Sequence, residues 1–292
     1  MGLFDNGRRQ LFHLTDDWVF YAVYGAGTEE SNRALIAILN MILDRGEDPI
    51  VSIRILNPVM KGRRIRRKGS VLDIKAETGA GEIIDIEMQN GGLAVYRNRS
   101  VFHGGKLITS SLEKGQNYDK MKKSIVISII NSRLFSETEK MHSIFRLKEI
   151  DDGFVLSDRI EHHFLELGNL PQISSMEDLE RLEPLERFAF YLKYAGVREM
   201  EDYLCALIEF DEEAVRMSER VFHELTEDDI AYEMLEREEK FEHDLAGWID
   251  AAERRGLAEA RLSIARAMKA EGYPIEEICK LTHMPEEEVE EL

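Results

Sequence analysis

Along the first fifty residues the apolar positions recur at helical spacing, and after Val51 the period drops to two. Thr15, Asp16 and Asp17 offer an N-cap and first-turn acids for a short predicted helix through Tyr24, which Gly25, Ala26 and Gly27 interrupt. Thr28 is placed to cap a second helix whose apolar stripe is Leu35, Ile36, Leu39, Ile42 and Leu43, ending near Gly46 and Pro49. Val51, Ile53 and Ile55 then alternate with Ser52, Arg54 and Leu56 as a strand closed by Asn57-Pro58. Two further strands are predicted at Ser70–Glu77 and Glu82–Gln89, a helix at Leu93–Lys114, a buried strand at Ser124–Asn131, and strands at His142–Lys148 and Arg159–Leu167. Gly104-Gly105 weakens the middle of the Leu93–Lys114 helix by about 1 kcal/mol per glycine relative to alanine. From Met176 onward the chain is helix-forming and acidic, with two short helical patterns around Pro274 and Pro285 at its end. No internal repeat is evident.

The strand pair Ser70–Glu77 and Glu82–Gln89 carries the polar positions with the most chemistry. Residues two apart in a strand share a face, so Val71, Asp73, Lys75 and Glu77 lie together, as do Ile83, Asp85, Glu87 and Gln89. Leu72, Ile74, Ala76, Ile84, Ile86 and Met88 take the opposite, core-like face. A three-residue loop Gly79-Ala80-Gly81 pairs Thr78 with Glu82 and sets Asp73 directly opposite Glu87. Two carboxylates then converge, and a divalent cation such as Mg²⁺ relieves their repulsion. Gln89, further along that face, has an amide that can orient water or hold a phosphate oxygen. A two-residue loop would split Asp73 and Glu87 between faces, and an exposed hairpin with a merely polar outer face is the plain alternative.

Charge changes the picture more than composition does. Of 292 residues, 43% are hydrophobic and 33% charged, the profile of an ordinary globular chain, and no apolar stretch reaches the roughly 18 residues of a membrane span. The start lacks a signal-peptide pattern, and two isolated cysteines, Cys205 and Cys279, suit a reducing compartment, so a cytoplasmic protein is expected. The net charge of −19 argues against a polyanionic partner until its distribution is read. Residues 1–150 hold 23 Lys+Arg against 18 Asp+Glu, whereas 151–292 hold 15 against 39. Only the first half can approach nucleic acid cheaply, and its run Lys61, Arg63, Arg64, Arg66, Arg67 and Lys68 just precedes the first strand of the hairpin.

Several short motifs occur in order: Asp17-Trp-Val-Phe20, Leu35-Ile-Ala-Ile-Leu-Asn40, Leu72-Asp73, Ile86-Glu87-Met88-Gln89, Arg99-Ser100, Lys114-Gly-Gln-Asn-Tyr118 and Phe164-Leu-Glu-Leu167. Together they resemble the PD-(D/E)XK nuclease family transposases, the recombination-promoting nuclease group, over roughly Thr15 to Leu167, and Ile275–Leu292 is similar to the helical tail such proteins carry. The resemblance implies an α/β (α+β) fold with a restriction-endonuclease-like mixed sheet flanked by helices, and metal-dependent hydrolysis of DNA phosphodiesters. It implies Asp73 and Glu87 as catalytic metal ligands for Mg²⁺ or Mn²⁺, Gln89 in place of the usual lysine, and Asp17 as a candidate third acid. Two departures stand out. Tyr21 follows Phe20 where the family commonly has lysine, and Val101-Phe102-His103 follows Arg99-Ser100 where many members carry other aromatics. Both bear on rate and DNA grip, so a slow or inactive nucleic-acid-binding relative is the alternative, with a phosphohydrolase of small nucleotides a third reading.

The remaining candidates are weighed on their own chemistry. Arg99 and Lys106, two helical turns apart, share a helix face and can meet phosphate, though a first reading of such cations is a solvated pair. Asp17 is explained without chemistry as a first-turn acid. The basic run, including Arg63, Arg64, Arg66 and Arg67, is expected to contact DNA non-specifically. His162 and His163 point to opposite strand faces and read as structural, and the cysteines have no zinc or nucleophile spacing. The tail has helix-turn-helix spacing, but Glu286, Glu287, Glu288, Glu290 and Glu291 occupy its second helix, which suits packing or self-association rather than groove reading. The expected domains are a nuclease core, 1–170, and an acidic helical region, 171–292, the latter a route to homo-oligomers.

Overall fold

Ser124–Ile130 contains no charged side chain and is buried at every position, as a strand covered on both faces must be. In a computed structural model, which describes residues 12–57, 73–91, 93–210, 212–225 and 260–292, this strand (β4) lies inside a six-stranded sheet. The other strands are β1 (Ile53–Ile55), β2 (Ile74–Thr78), β3 (Ile83–Gln89), β5 (His142–Arg146) and β6 (Ile160–Glu166), and the spatial order is β1-β2-β3-β4-β6-β5. β1, β2 and β3 form an antiparallel meander, β3, β4 and β6 run parallel, and β5 returns antiparallel along β6. The expected mixed sheet with flanking helices is what the chain forms.

The helices are α1 (Asp17–Tyr24), α2 (Glu29–Ile42), α3 (Tyr96–Ser110), α4 (Met176–Glu180), α5 (Pro184–Tyr194), α6 (Glu201–Glu209) and α7 (Glu213–His223). Thr28 caps α2 as read, its hydroxyl accepting the Ser31 amide at 3.2 Å. α3 is shorter than the Leu93–Lys114 helix expected, because a single 3-10 turn at Leu93–Val95 precedes it and it ends at Ser110. β1 is also shorter than its alternation suggests, with Val51 outside it and 80% exposed. Parallel strands need a crossover, and α3 supplies it between β3 and β4. It packs on the sheet face bearing Ile83 and Val126 through Leu107. Gly104 brings the helix down on His162 of β6, and a Cβ there would lie 2.6 Å from the imidazole Cε1. That contact gives the mid-helix glycine its reason.

On the other face Ile74, Ala76, Ile84, Ile86, Ile125, Ile127 and Ile129 are fully buried or nearly so. α1 meets β3 there, and α2 meets β1. α5 and α7, grouped by sequence with the acidic C-terminal region, pack on α1 and α2. The buried Tyr24 hydroxyl is bonded to Ser218 at 2.7 Å, a tie between residues 194 positions apart. The chain divides into two compact units, Met1–Leu225 and Thr226–Leu292, so the expected 170/171 division falls within the first. In the second unit a helix over 260–270 (α8), α9 (Ile275–Thr282) and α10 (Glu286–Glu290) gather around Ala265, Ile278 and Val289. Their apolar stripe is therefore spent partly on one another, while Ile264 and Leu281 stay exposed. Among the described residues no helix is long and apolar enough to cross a membrane.

Candidate functional site

The hairpin turn decides which carboxylates meet. The Thr78 amide donates to the Glu82 carbonyl at 2.9 Å and Gly81 adopts φ 85°, so the loop is Gly79-Ala80-Gly81. Cα pairing runs Glu77 with Ile83, Ala76 with Ile84, Lys75 with Asp85 and Ile74 with Ile86. One step further lies Asp73 opposite Glu87, the register expected from the three-residue loop. The start of β2 is clipped in place by Asn57, whose side chain donates to the Asp73 carbonyl at 2.8 Å and accepts from the Lys75 amide at 2.9 Å. Tyr21, nearly fully buried, donates to the Asn57 carbonyl at 2.6 Å. Tyr21 thus braces the segment at the head of β2, next to Asp73.

The polar face of β3 is not an exposed hairpin surface. Asp85 and Glu87 are 2% and 1% exposed, beneath α3. Tyr96, Arg99 and His103 project from α3 at three- and four-residue spacing, which stacks them on one helix face. The Tyr96 hydroxyl donates to Glu87 Oε2 at 3.0 Å and Arg99 donates to the same oxygen at 3.1 Å. Arg99 also donates to Gln89 Oε1 at 2.7 Å and lies 4.9 Å from the Tyr96 ring centre. His103 Nδ1 pairs with Glu87 Oε1. Asp85 Oδ1 is buried without a hydrogen-bond partner, and buried Glu87 Oε1 meets only the His103 imidazole. The ligand atoms of Asp85, Glu87 and His103 all lie within 4.8 Å of one another, an arrangement able to hold a metal ion.

Lys75 supplies the cation on the β2 side, its Nζ 3.0 Å from Asp73 Oδ2. Burial works to lower its pKa, but the hydrogen bond to Asp73 and the charges of Asp85, Asp73 and Glu87 raise it above the ordinary lysine value. Asp85 moves the other way from a normal carboxylate. Burial pushes it up to about 7, Lys75 opposes this, and the Asp73 and Glu87 charges add to it. The Tyr96 hydroxyl is also raised, first by burial and then by the Glu87 charge.

Of the residues singled out by sequence, Asp73, Glu87, Gln89 and Arg99 come together here. The Gln89 amide is occupied at both ends, its Nε2 donating to the Gly91 carbonyl and its oxygen accepting from Arg99. Asp17 stands beside the end of β3, where Asn90 donates to its carboxylate at 3.3 Å, and is not part of the cluster with Asp85 and Glu87. Lys106 is exposed one turn beyond His103. Arg63, Arg64, Arg66 and Arg67 lie outside the described residues. His162 and His163 do face opposite ways. His162 abuts Gly104, whereas His163 Nδ1 is 3.1 Å from His142 Nε2 and its Nε2 3.5 Å from Glu161.

Sequence reasoning passed over Lys75, Asp85 and His103. Strand parity already placed Lys75 and Asp85 on the face of Asp73 and Glu87, and helical spacing placed His103 on the face of Tyr96 and Arg99. No curated protein and no solved structure matches the chain significantly. A family model described as PD-(D/E)XK nuclease family transposase does match, over residues 14–252. That span takes in the whole sheet, the acid hairpin and helices α1 to α7, and the chain belongs to the PD-(D/E)XK nuclease family transposases.

Proposed function

We propose that the chain is a divalent-metal-dependent endodeoxyribonuclease that hydrolyses phosphodiester bonds in the course of transposition or recombination. The observation that carries this reading is a pair of carboxylates, Asp85 and Glu87, at most 2% exposed, with Asp85 Oδ1 lacking any hydrogen-bond partner and Glu87 Oε1 turned toward the His103 ring beside it. Two acids buried this close together remain costly even beside Lys75, Arg99 and His103, and a further cation would offset that cost, so the residues fit a metal ion. Glu87 and Asp85 would hold it, with Asp73, opposite Glu87 in the register, as a further acid, and Mg²⁺ or Mn²⁺ is the ion this reading takes. Such an ion supplies positive charge to the developing phosphorane and makes water nucleophilic near neutral pH.

The chain's own residues do the rest. Tyr96 and Arg99 fix one Glu87 oxygen, leaving the other directed into the site. Lys75, beside Asp73, takes the place of the lysine that Gln89 replaces and offers its charge to a phosphate oxygen. Gln89 can position water or phosphate once its amide leaves Gly91. Lys106 and the run Arg63, Arg64, Arg66 and Arg67 are read as non-specific phosphate contacts, and Asp17 as a peripheral acid. The protein is taken to act in the cytoplasm, with self-association through the C-terminal helices part of the same reading. One observation favours the second reading, a binding protein with little turnover: the Gln89 amide is engaged internally.

Nicking of supercoiled plasmid in Mg²⁺, Mn²⁺ and chelator tests this, with Asp73→Asn and Glu87→Gln alongside. Metal-dependent nicking lost in both variants is expected. Intact plasmid with retained DNA binding moves the conclusion to the second reading, and equal cutting by all three proteins removes this site from the reaction.

A further inference from the structure

We infer that His103 is a protein ligand of the Asp85/Glu87 site and makes it select Mn²⁺ over Mg²⁺. The inference rests on the metal-binding reading above and deepens it. α3 is held in one rotational setting over β3 by Tyr96 and Arg99, which grip the Oε2 side of Glu87. One turn on from Arg99, His103 therefore comes down on the Oε1 side, its Nδ1 facing that oxygen. Gly104 lets this stretch of helix approach the sheet closely, since a Cβ there would lie 2.6 Å from the His162 ring. Asp85, Glu87 and His103 thus each offer one ligand atom within 4.8 Å of the others, and an ion seated among them would take over the contact that His103 now makes with Glu87. The donor set is two oxygens and a nitrogen, with Asp73 adjacent to supply another oxygen.

That set discriminates between ions. Mg²⁺ takes oxygen ligands in near-ideal octahedral geometry, gives up water reluctantly and gains little from imidazole. Mn²⁺ accepts carboxylates as readily and, as a first-row transition ion, also binds nitrogen. Replacing one water by a fixed imidazole therefore strengthens Mn²⁺ binding and leaves Mg²⁺ binding nearly unchanged. Arg99 does not oppose this, because its guanidinium is spent on Glu87 Oε2 and Gln89.

The test uses the full-length chain without nucleic acid. Mn²⁺ and Mg²⁺ are titrated calorimetrically into wild type, His103→Ala and Glu87→Gln, and pulsed electron paramagnetic resonance of bound Mn²⁺ reads nitrogen coordination. The expected result is Mn²⁺ binding at least ~10-fold tighter than Mg²⁺, a preference that His103→Ala mostly abolishes at similar Mg²⁺ affinity. Imidazole nitrogen modulation is expected on the wild-type Mn²⁺ signal and is lost in His103→Ala, and Glu87→Gln weakens both ions. An unchanged Mn²⁺/Mg²⁺ ratio in His103→Ala, or no nitrogen modulation in wild type, overturns the His103 assignment while sparing the nuclease reading. Failure of wild type to bind either ion overturns both. If His103→Ala does not fold, the wild-type nitrogen signal alone decides.

Discussion

Replacing Asp85 by asparagine should make the metal-free protein more stable, although the residue lies at the heart of the site. In the folded chain burial raises the Asp85 carboxyl from 3.8 to about 7. A folded-state pKa above the unfolded one means that the native state holds its proton more tightly. Stability is then highest below about pH 4 and is lost as the pH rises toward 7. A tenfold change in proton affinity is worth about 1.4 kcal/mol, so this displacement sets a ceiling of roughly 4 kcal/mol. Asp73 and Glu87 share in the repulsion, and asparagine keeps the shape, so a gain of about 2 kcal/mol at pH 8 is expected. Urea unfolding followed by circular dichroism, in chelator from pH 5 to pH 8, measures it at constant m-value. Wild type should weaken across that range and Asp85→Asn should weaken less, whereas added Mn²⁺ should restore wild type and leave the variant unchanged. A variant less stable than wild type at pH 8 in chelator would falsify the account of Asp85 as an acid that burial destabilises.

Two further substitutions probe the surroundings. Gly104→Ala drives a Cβ into the His162 ring and should cost about 1–3 kcal/mol in thermal unfolding, with His162→Ala in the same chain recovering most of it; additive losses would refute the contact as the cause. Lys75→Met removes the ammonium beside Asp73 and should raise Mn²⁺ affinity on the order of tenfold while lowering nicking, and unchanged affinity in calorimetry would place Lys75 outside the field of the site.

Local rules carried the hairpin a long way. Gly79-Ala80-Gly81 set the loop, the loop set the register, and the register set Asp73 against Glu87, all within some twenty residues of sequence. What alternation does not reveal is what covers a polar strand face. Asp85 and Glu87 look solvated until α3 lies over them, and α3 is placed by contacts such as Leu107 on Val126 and Gly104 on His162, which no local period encodes. For the same reason sequence paired Arg99 only with Lys106, whereas the structure sets Tyr96, Arg99 and His103 together. Those three side chains lie at the sheet, whereas Lys106 is exposed to solvent. The acidic helices were read as a separate region because their tie to the core, Tyr24 to Ser218, spans most of the unit and leaves no mark in composition.

The Asn57 clip has an evolutionary side. By binding the Asp73 carbonyl and the Lys75 amide, one side chain holds together the two ends of the segment 58–72, whatever path lies between. Lengthening a flexible connection between two fixed points costs in general only about 0.6 kcal/mol per doubling. The acid strand is therefore insulated from changes in the segment that carries the arginine run. Insertions, deletions and swaps of charge there leave the carboxylates in their places, so if the run binds DNA as proposed, affinity and chemistry can change separately in descendants of this chain.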